Sequence, residues 1–336
     1  MTQDNAQSRK TALITGASAG IGRDYARFLA ARDYDLVLTA RRKDRLDALA
    51  RELKQGFGTK VTVITADLAD PKAPAQLAAG IARRKLQIDY LVNNAGYAVP
   101  GLYNDVKWEA QRDMIQVMMT AVAELCHIFA PLMAARGHGR IVNIASVAAY
   151  LPGTKGGTLY SPVKAFVMRL SQSLALEYKE RGVNVISLNP GFTWSEFHDV
   201  AGNRQAMNRL PGFVWLEGPR VVREGHEAVE KGKGPVIVNG WLYRALAAMF
   251  KVLPENLTNR ISGGGTRNRQ ARPQDEAPAP TAKPTAKPAT KAKPAAKKTP
   301  AKKPAAKKPA AKKPAAQKTP AKKPRKSATA ANSGTD

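Results

Sequence analysis

Cysteine is nearly missing from this chain: Cys126 is the single one in 336 residues. One thiol excludes an intramolecular disulfide and suits a reducing compartment, so a cytoplasmic protein is expected. Cys126 lies in an apolar helical stretch beside His127, where packing explains it. Histidine is scarce too, at four. His127 and His138 lack ligating companions at helical or loop spacing, so no metal site is expected. Met1 to Lys10 are polar and carry no apolar signal-peptide region. An unbroken apolar stretch of about 18 residues is not found, and no membrane-spanning helix is expected. Acidic residues are outnumbered, 26 against 54 Lys and Arg, for a net charge of +28.

That imbalance is uneven along the chain. Residues 272–336 hold 18 basic and 3 acidic residues, a net of +15. They are almost wholly Ala, Lys, Pro and Thr, repeating as Ala-Lys-Lys-Pro-Ala behind a glycine hinge at Ile261–Thr266. Proline about every fifth residue prevents a stable helix, and alanine alone cannot build a core. Residues 262–336 are therefore read as a disordered basic tail with some extended polyproline character. A block of like charge seeks polyanions. Non-specific nucleic acid is the first partner it suggests, through residues 272–326. An anionic lipid surface or polyphosphate is the second, and a merely solubilising tail the third. Nucleoid or membrane-surface association would follow from the first two. The repeat has no aromatic ring on which a base could stack, so binding should be sequence-blind and fall with salt. In composition alone the segment resembles the C-terminal tails of linker histones.

Residues 8–258 have the patterning of a folded domain. Thr11–Thr15 is a short apolar run suited to a buried parallel strand. Gly16-Ala-Ser18-Ala-Gly20-Ile21-Gly22 follows at once, and then a helical pattern through Tyr25, Phe28 and Leu29. Strand, glycine turn and helix is the context of a dinucleotide site. The glycines let backbone approach a pyrophosphate, and the helix-start N–H groups face the anion. A second strand ends in Ala40-Arg41-Arg42, where an NAD-selective site would place a carboxylate. A guanidinium there suits a 2′-phosphate, so NADP(H) is the expected cofactor, with Arg41 its selector. A third strand leads to Asp67-Leu68, and a fourth to Asn93-Asn94-Ala95-Gly96. Asp67 is placed to accept from the adenine amino group, and Asn93 and Asn94 to fix the turn.

Tyr160 and Lys164, four residues apart, share one face of a helix. A phenol is a poor acid or base at neutral pH, and a lysine ammonium one turn away favours the phenolate. Ser146, at the end of the strand Arg140–Ile144, can hold a substrate oxygen beside the phenol. The three form a device for moving a proton to or from a carbonyl or carbinol oxygen.

Together these elements resemble the short-chain dehydrogenase/reductase family over roughly residues 8–240. The carriers are the Thr15-Gly-x-x-x-Gly-x-Gly22 turn, Asp67, Asn93–Gly96, Ser146, Tyr160-x-x-x-Lys164 and Pro190-Gly191. The resemblance implies an α/β, Rossmann-type doubly wound fold with a mostly parallel seven-stranded sheet. It implies NAD(P)-dependent oxidoreduction and a homodimer or homotetramer formed through helices near 110–130 and 160–180. It makes Tyr160 the proton donor or acceptor. Lys164 would tune that tyrosine and hold the nicotinamide ribose, and Ser146 would position the substrate. Cofactor contacts are expected from Gly16, Ser18, Gly20, Ile21, Gly22, Arg41, Asp67, Leu68, Asn94, Ala95, Gly96, Tyr160, Lys164, Pro190, Gly191 and Thr193. One position departs: the family's asparagine in the helix after the fourth strand falls on Met118. A thioether cannot hold a water there as an amide can.

The segment 192–216 should cover the site as a flap. Its rings, Phe192, Trp194, Phe197, Phe213 and Trp215, suggest an apolar, fairly large carbonyl or alcohol substrate, with Phe192, Trp194 and Phe197 in contact. Trp241–Phe250 reads as a helix that packs on the domain, on another subunit or against a membrane surface. Two functions remain open at this level. One is an NADP(H)-dependent oxidoreductase. The other is a cofactor-sensing protein, impaired in catalysis by Met118, that binds polyanions through its tail.

Overall fold

A computed structural model describes residues 9–197, 204–254 and 256–258. The basic segment 262–336 lies outside the described residues, as do 198–203 of the flap.

The short apolar runs become seven strands: β1 (Thr11–Thr15), β2 (Asp35–Thr39), β3 (Val61–Val63), β4 (Tyr90–Asn93), β5 (Gly139–Ile144), β6 (Val183–Asn189) and β7 (Val236–Val238). They form one sheet in the order β3-β2-β1-β4-β5-β6-β7, with every neighbouring pair parallel. Parallel strands need crossovers, and the helices supply them. These are α1 (Gly20–Ala30), α2 (Lys43–Phe57), α3 (Ala73–Arg83), α4 (Trp108–Ile115), α5 (Ala121–Ala135) and α6 (Tyr160–Tyr178). After α6 come the short α7 (Arg204–Met207), then α8 (Gly218–Glu230) and α9 (Trp241–Val252). The expected Rossmann-type fold is therefore present.

Both faces of the sheet are covered, which is why its strands are largely apolar and even their polar residues, such as Asn143 and Ser187, are buried. Ala12 and Ile14 of β1 join a core with Leu29 of α1, Leu46 and Leu53 of α2 and Val221 and Val229 of α8. Leu13, between them, points to the other face, among Leu77 and Ile81 of α3 and Leu125, Phe129 and Met133 of α5. Burying a side chain of this size contributes roughly 1.5–3 kcal/mol.

The strand order reverses between β1 and β4. At such a switch point the loops part and leave a crevice beyond the carboxyl ends of the strands. The glycine turn after β1 and the Asn93–Gly96 loop after β4 flank it.

One helical stretch bears on the membrane expectation. Trp108–Ala135 is a continuous helical stretch long and apolar enough, by length and composition, to cross a membrane. Half of its most apolar 18-residue portion is buried inside this domain, where Leu125, Phe129 and Met133 pack on the sheet. It serves here as a core helix.

Candidate active site

The glycine turn has the backbone its sequence requires. Gly16 and Gly20 have φ of 65° and 51°, left-handed values that L side chains avoid. Gly22 is needed for a different reason: a Cβ there would collide with the Asn94 amide and the Gly16 carbonyl. Thr15 then joins the turn to β4. Its Oγ1 accepts from Asn94 N at 2.9 Å and Ala95 N at 3.0 Å. The Asn94 side chain donates in return to Thr15 O at 3.0 Å and Gly16 O at 3.2 Å. Asn94 therefore fixes the turn, as expected, and this cradle fits a dinucleotide's pyrophosphate.

Asn93 does not join it. It is buried, and its Nδ2 donates to Asn143 Oδ1 at 2.9 Å and Cys126 Sγ at 3.4 Å. Successive strand residues face opposite ways, and Asn93 faces α5 and α6. Asn143 Nδ2 donates to Ser171 Oγ at 2.9 Å, and Ser171 Oγ donates to Val167 O at 2.7 Å. A buried polar chain thus runs from β4 through β5 into α6, the helix that carries Tyr160 and Lys164. Asn143 and Ser171 were not singled out from sequence. Burial also pushes the Cys126 thiol up to about 12.

At the end of β2, Arg41 is exposed and has no hydrogen-bond partner among the described residues. Arg42 instead reaches the glycine turn, with Nη2 donating to Ser18 Oγ at 3.2 Å. Its Nη1 lies 3.3 Å from Glu196 Oε2, and Arg45 Nη1 donates to both Glu196 oxygens at 2.8 and 2.6 Å. Burial alone would raise the Glu196 carboxyl, but Arg45 and Arg42 hold it below its ordinary value. Neither Arg45 nor Glu196 is conspicuous in the sequence, because they lie 151 residues apart. Asp67 is exposed, and its Oδ1 accepts from Ala69 N at 3.1 Å in a local turn. Leu68 beside it is buried.

Ser146, Tyr160 and Lys164 converge. Ser146 follows β5 by two residues, with its hydroxyl accepting from Ala148 N at 3.2 Å, and it is near enough to favour the charged form of the Tyr160 phenol. Lys164, buried, donates Nζ to Ile144 O at 2.8 Å. That nitrogen is 5.8 Å from the centroid of the Tyr160 ring. The expected lowering of the phenol is not found. Burial pushes it up to about 12, against the downward pull of the Ser146 hydroxyl. Burial likewise drives Lys164 down to about 7. Low polarity disfavours the charged form of each group.

Met118 is buried in a π-helical segment, Gln116–Thr120, between α4 and α5. It packs in an apolar cluster with Val163, against which Tyr160 and Ala95 also pack. A Cβ on Gly96 would lie 3.4 Å from its sulfur. Such π segments often mark functional sites.

The turn after β6 closes the other side. Pro190 O accepts from Val147 N at 3.1 Å, tying this turn to the one that carries Ser146. Thr193 is buried, and its Oγ1 donates to Gly191 O at 3.1 Å. Gly191 has no room for a side chain, because a Cβ would strike the Tyr243 ring. Among the flap rings, Phe197 lies 5.8 Å from Tyr160 and Phe192 lies 5.9 Å from Trp215. Trp194 stacks on Trp215 at 4.0 Å. Phe213 is mostly exposed.

A family model described as "short chain dehydrogenase" matches residues 10–205. The chain belongs to the short-chain dehydrogenases. This short-chain dehydrogenase is similar to one from Sphingobium yanoikuyae solved in complex with NADPH. The two are 34% identical, with a TM-score of 0.64, over 73% of this chain and 96% of that one. It is also similar to the bulky-bulky ketone specific alcohol dehydrogenase of Comamonas testosteroni. There the identity is 30% and the TM-score 0.60, over 73% and 95% of the two chains. A third relative is the very-long-chain 3-oxoacyl-CoA reductase-A of Danio rerio, 31% identical over 78% of this chain and 82% of its own. Like these relatives, the short-chain dehydrogenase described here is an oxidoreductase of the CH–OH/C=O class.

Proposed function

We propose that this enzyme uses NADP(H) to interconvert a fairly large, apolar carbonyl compound and its alcohol. The observation that carries the reading is the meeting of Ser146, Tyr160 and Lys164 beside a glycine cradle, with arginines in place of a carboxylate at the end of β2. NADP(H), when bound, supplies or accepts the hydride. Gly16, Gly20, Gly22, Asn94, Ala95 and Gly96 hold the dinucleotide, and Arg41 and Arg42 select its 2′-phosphate. Ser146 orients the substrate oxygen. Tyr160 gives that oxygen a proton during reduction and takes it back during oxidation. Lys164, held on Ile144 O, fixes the geometry and lowers the phenol once it carries charge. Phe192, Trp194 and Phe197 line the substrate's path, and the names of the ketone-specific and oxoacyl relatives support an apolar partner. Intact proton-handling geometry favours this reading over a cofactor sensor that has lost its chemistry.

The test begins with titrations of NADPH and NADH by nicotinamide fluorescence, followed by turnover of lipophilic ketones. Tyr160→Phe should abolish turnover, by about a hundredfold or more, while NADPH still binds. Normal turnover in that variant rules the assignment out.

A homodimer or homotetramer is proposed through α4, α5 and α6. Trp108, Leu132 and Leu176 lie exposed on these helices, and Leu176 is 81% exposed. Light scattering on Leu176→Glu should report a smaller particle.

A specific feature also favours a seat on an anionic lipid surface. Tyr243 and Ala247 of α9 face the domain, while Trp241, Ala245, Ala248, Met249 and Val252 form an outward apolar stripe with Arg244 and Lys251 along one edge. Such a helix suits an interface, and the basic segment 272–326 would add charge attraction. Co-sedimentation of the full chain with phosphatidylserine vesicles should weaken in Trp241→Ser. Retention on DNA, falling with salt, is the competing outcome for the tail.

A further inference from the structure

Three consecutive flap residues each touch a different part of the cofactor crevice. Ser195 covers the glycine turn: a Cβ on Gly20 would lie 3.1 Å from the Ser195 Cβ. Glu196 holds Arg42 and Arg45 at 3.3 and 2.6 Å. Phe197 leans on Tyr160, with ring centroids 5.8 Å apart. Arg42 also donates to Ser18 Oγ inside the turn, so its guanidinium lies where the glycine turn and the end of β2 meet. A carboxylate here satisfies the same donors that a phosphate would take, by the same two-oxygen geometry.

We propose that Glu196 is a specificity-determining residue that occupies the phosphate subsite on Arg42 and Arg45, so that the cofactor's 2′-phosphate must displace its carboxylate. The inference rests on the NADP(H) reading and deepens it. A phosphate monoester carries more charge and one more acceptor oxygen than a carboxylate, so it wins the guanidinium groups. The Glu196 pairs are partly exposed, with side-chain exposures of 38–43%, and such pairs are weak enough to exchange. Displacement frees residues 194–197, so arrival of the phosphate is signalled to the ring that leans on Tyr160. NADH brings no 2′-phosphate and leaves Glu196 in place. Glu196 thereby sets how strongly this chain distinguishes the two cofactors.

The test compares the full chain with Glu196→Gln, which keeps the shape and removes the charge. The dissociation constant for NADPH should fall about threefold or more, while that for NADH changes by less than about twofold. Unchanged selectivity, or weaker NADPH binding, overturns the proposal, because Glu196 would then be building the arginine pair instead of competing for it. A wild type that does not prefer NADPH overturns the cofactor reading itself, a separate result. A second readout uses Trp194, two residues from Glu196. Adenosine 2′,5′-bisphosphate should change its fluorescence in the wild type but not in Glu196→Gln, with Trp194→Phe assigning the signal. Adenosine 5′-monophosphate should leave it unchanged. Equal responses to the two nucleotides overturn the proposal.

Discussion

The ring of Tyr243 fills the space that a side chain on Gly191 would need. Its hydroxyl accepts from Phe192 N at 3.1 Å and donates to Val214 O at 2.6 Å. A residue from α9 therefore pins both arms of the flap where it leaves β6. Gly191→Ala forces the ring aside and breaks both bonds, at a cost of about 1–3 kcal/mol. A thermal melt should show the loss. Tyr243→Phe keeps the packing and loses only the bonds, so its melting point should fall by less.

Thr15→Val removes the oxygen that accepts from both Asn94 N and Ala95 N. Leaving a part-buried donor unsatisfied costs about 1 kcal/mol, so this near-isosteric change should destabilise the protein and weaken cofactor binding together. Thr15→Ser keeps the oxygen and should restore both. Denaturant titration and cofactor titration on the three proteins check this.

Lys164 is driven down to about 7 by burial. Its ordinary value is 10.5, so between those two values the unfolded chain binds a proton that the folded one does not. Stability from this group therefore rises as pH climbs from about 7 toward 10.5, and below 7 its burial cost is present in full. Melting temperatures of the cofactor-free protein at pH 6.5 and 9.5 should show that rise. Lys164→Met should lack it and should melt higher than the wild type at pH 6.5.

Cys126 is buried and its thiol stands at about 12. Thiolate is the reactive form, so the native protein should resist thiol reagents at pH 8 and react stoichiometrically only on unfolding. Prompt labelling of the native protein would contradict the packing around Asn93 and Asn143.

Most of the sheet was legible because strands such as β1, β2 and β4 are short apolar runs ended by a turn signal; β6, broken by Asn184, Ser187 and Asn189, was not singled out. The glycine turn was legible because its left-handed positions admit almost nothing else. Ser146, Tyr160 and Lys164 were legible through spacing and through the family they resemble. Four other things were not. Asn93 and Asn94 are identical letters, and only the pleat decides that one fixes the turn and the other enters the core. Arg42 and Arg45 acquire their roles from Glu196, about 150 residues away, which no local pattern reports. The charge states of Tyr160 and Lys164 depend on burial, and helix spacing reveals proximity without desolvation. The π-helical segment around Met118 likewise gives no signal in its letters.

The polar chain from Asn93 through Asn143 to Ser171 has a consequence for how such an enzyme can change. It anchors the helix bearing Tyr160 and Lys164 to the sheet from beneath, on the side away from the flap. The flap draws its own support from Tyr243 and from the stacked Trp194 and Trp215. On the function proposed above, the helix bearing Tyr160 and the flap thus have largely separate supports and meet at the Phe197 ring. Residues 192–216 could be exchanged for those of a relative with another preference, and the proton-handling residues would keep their register.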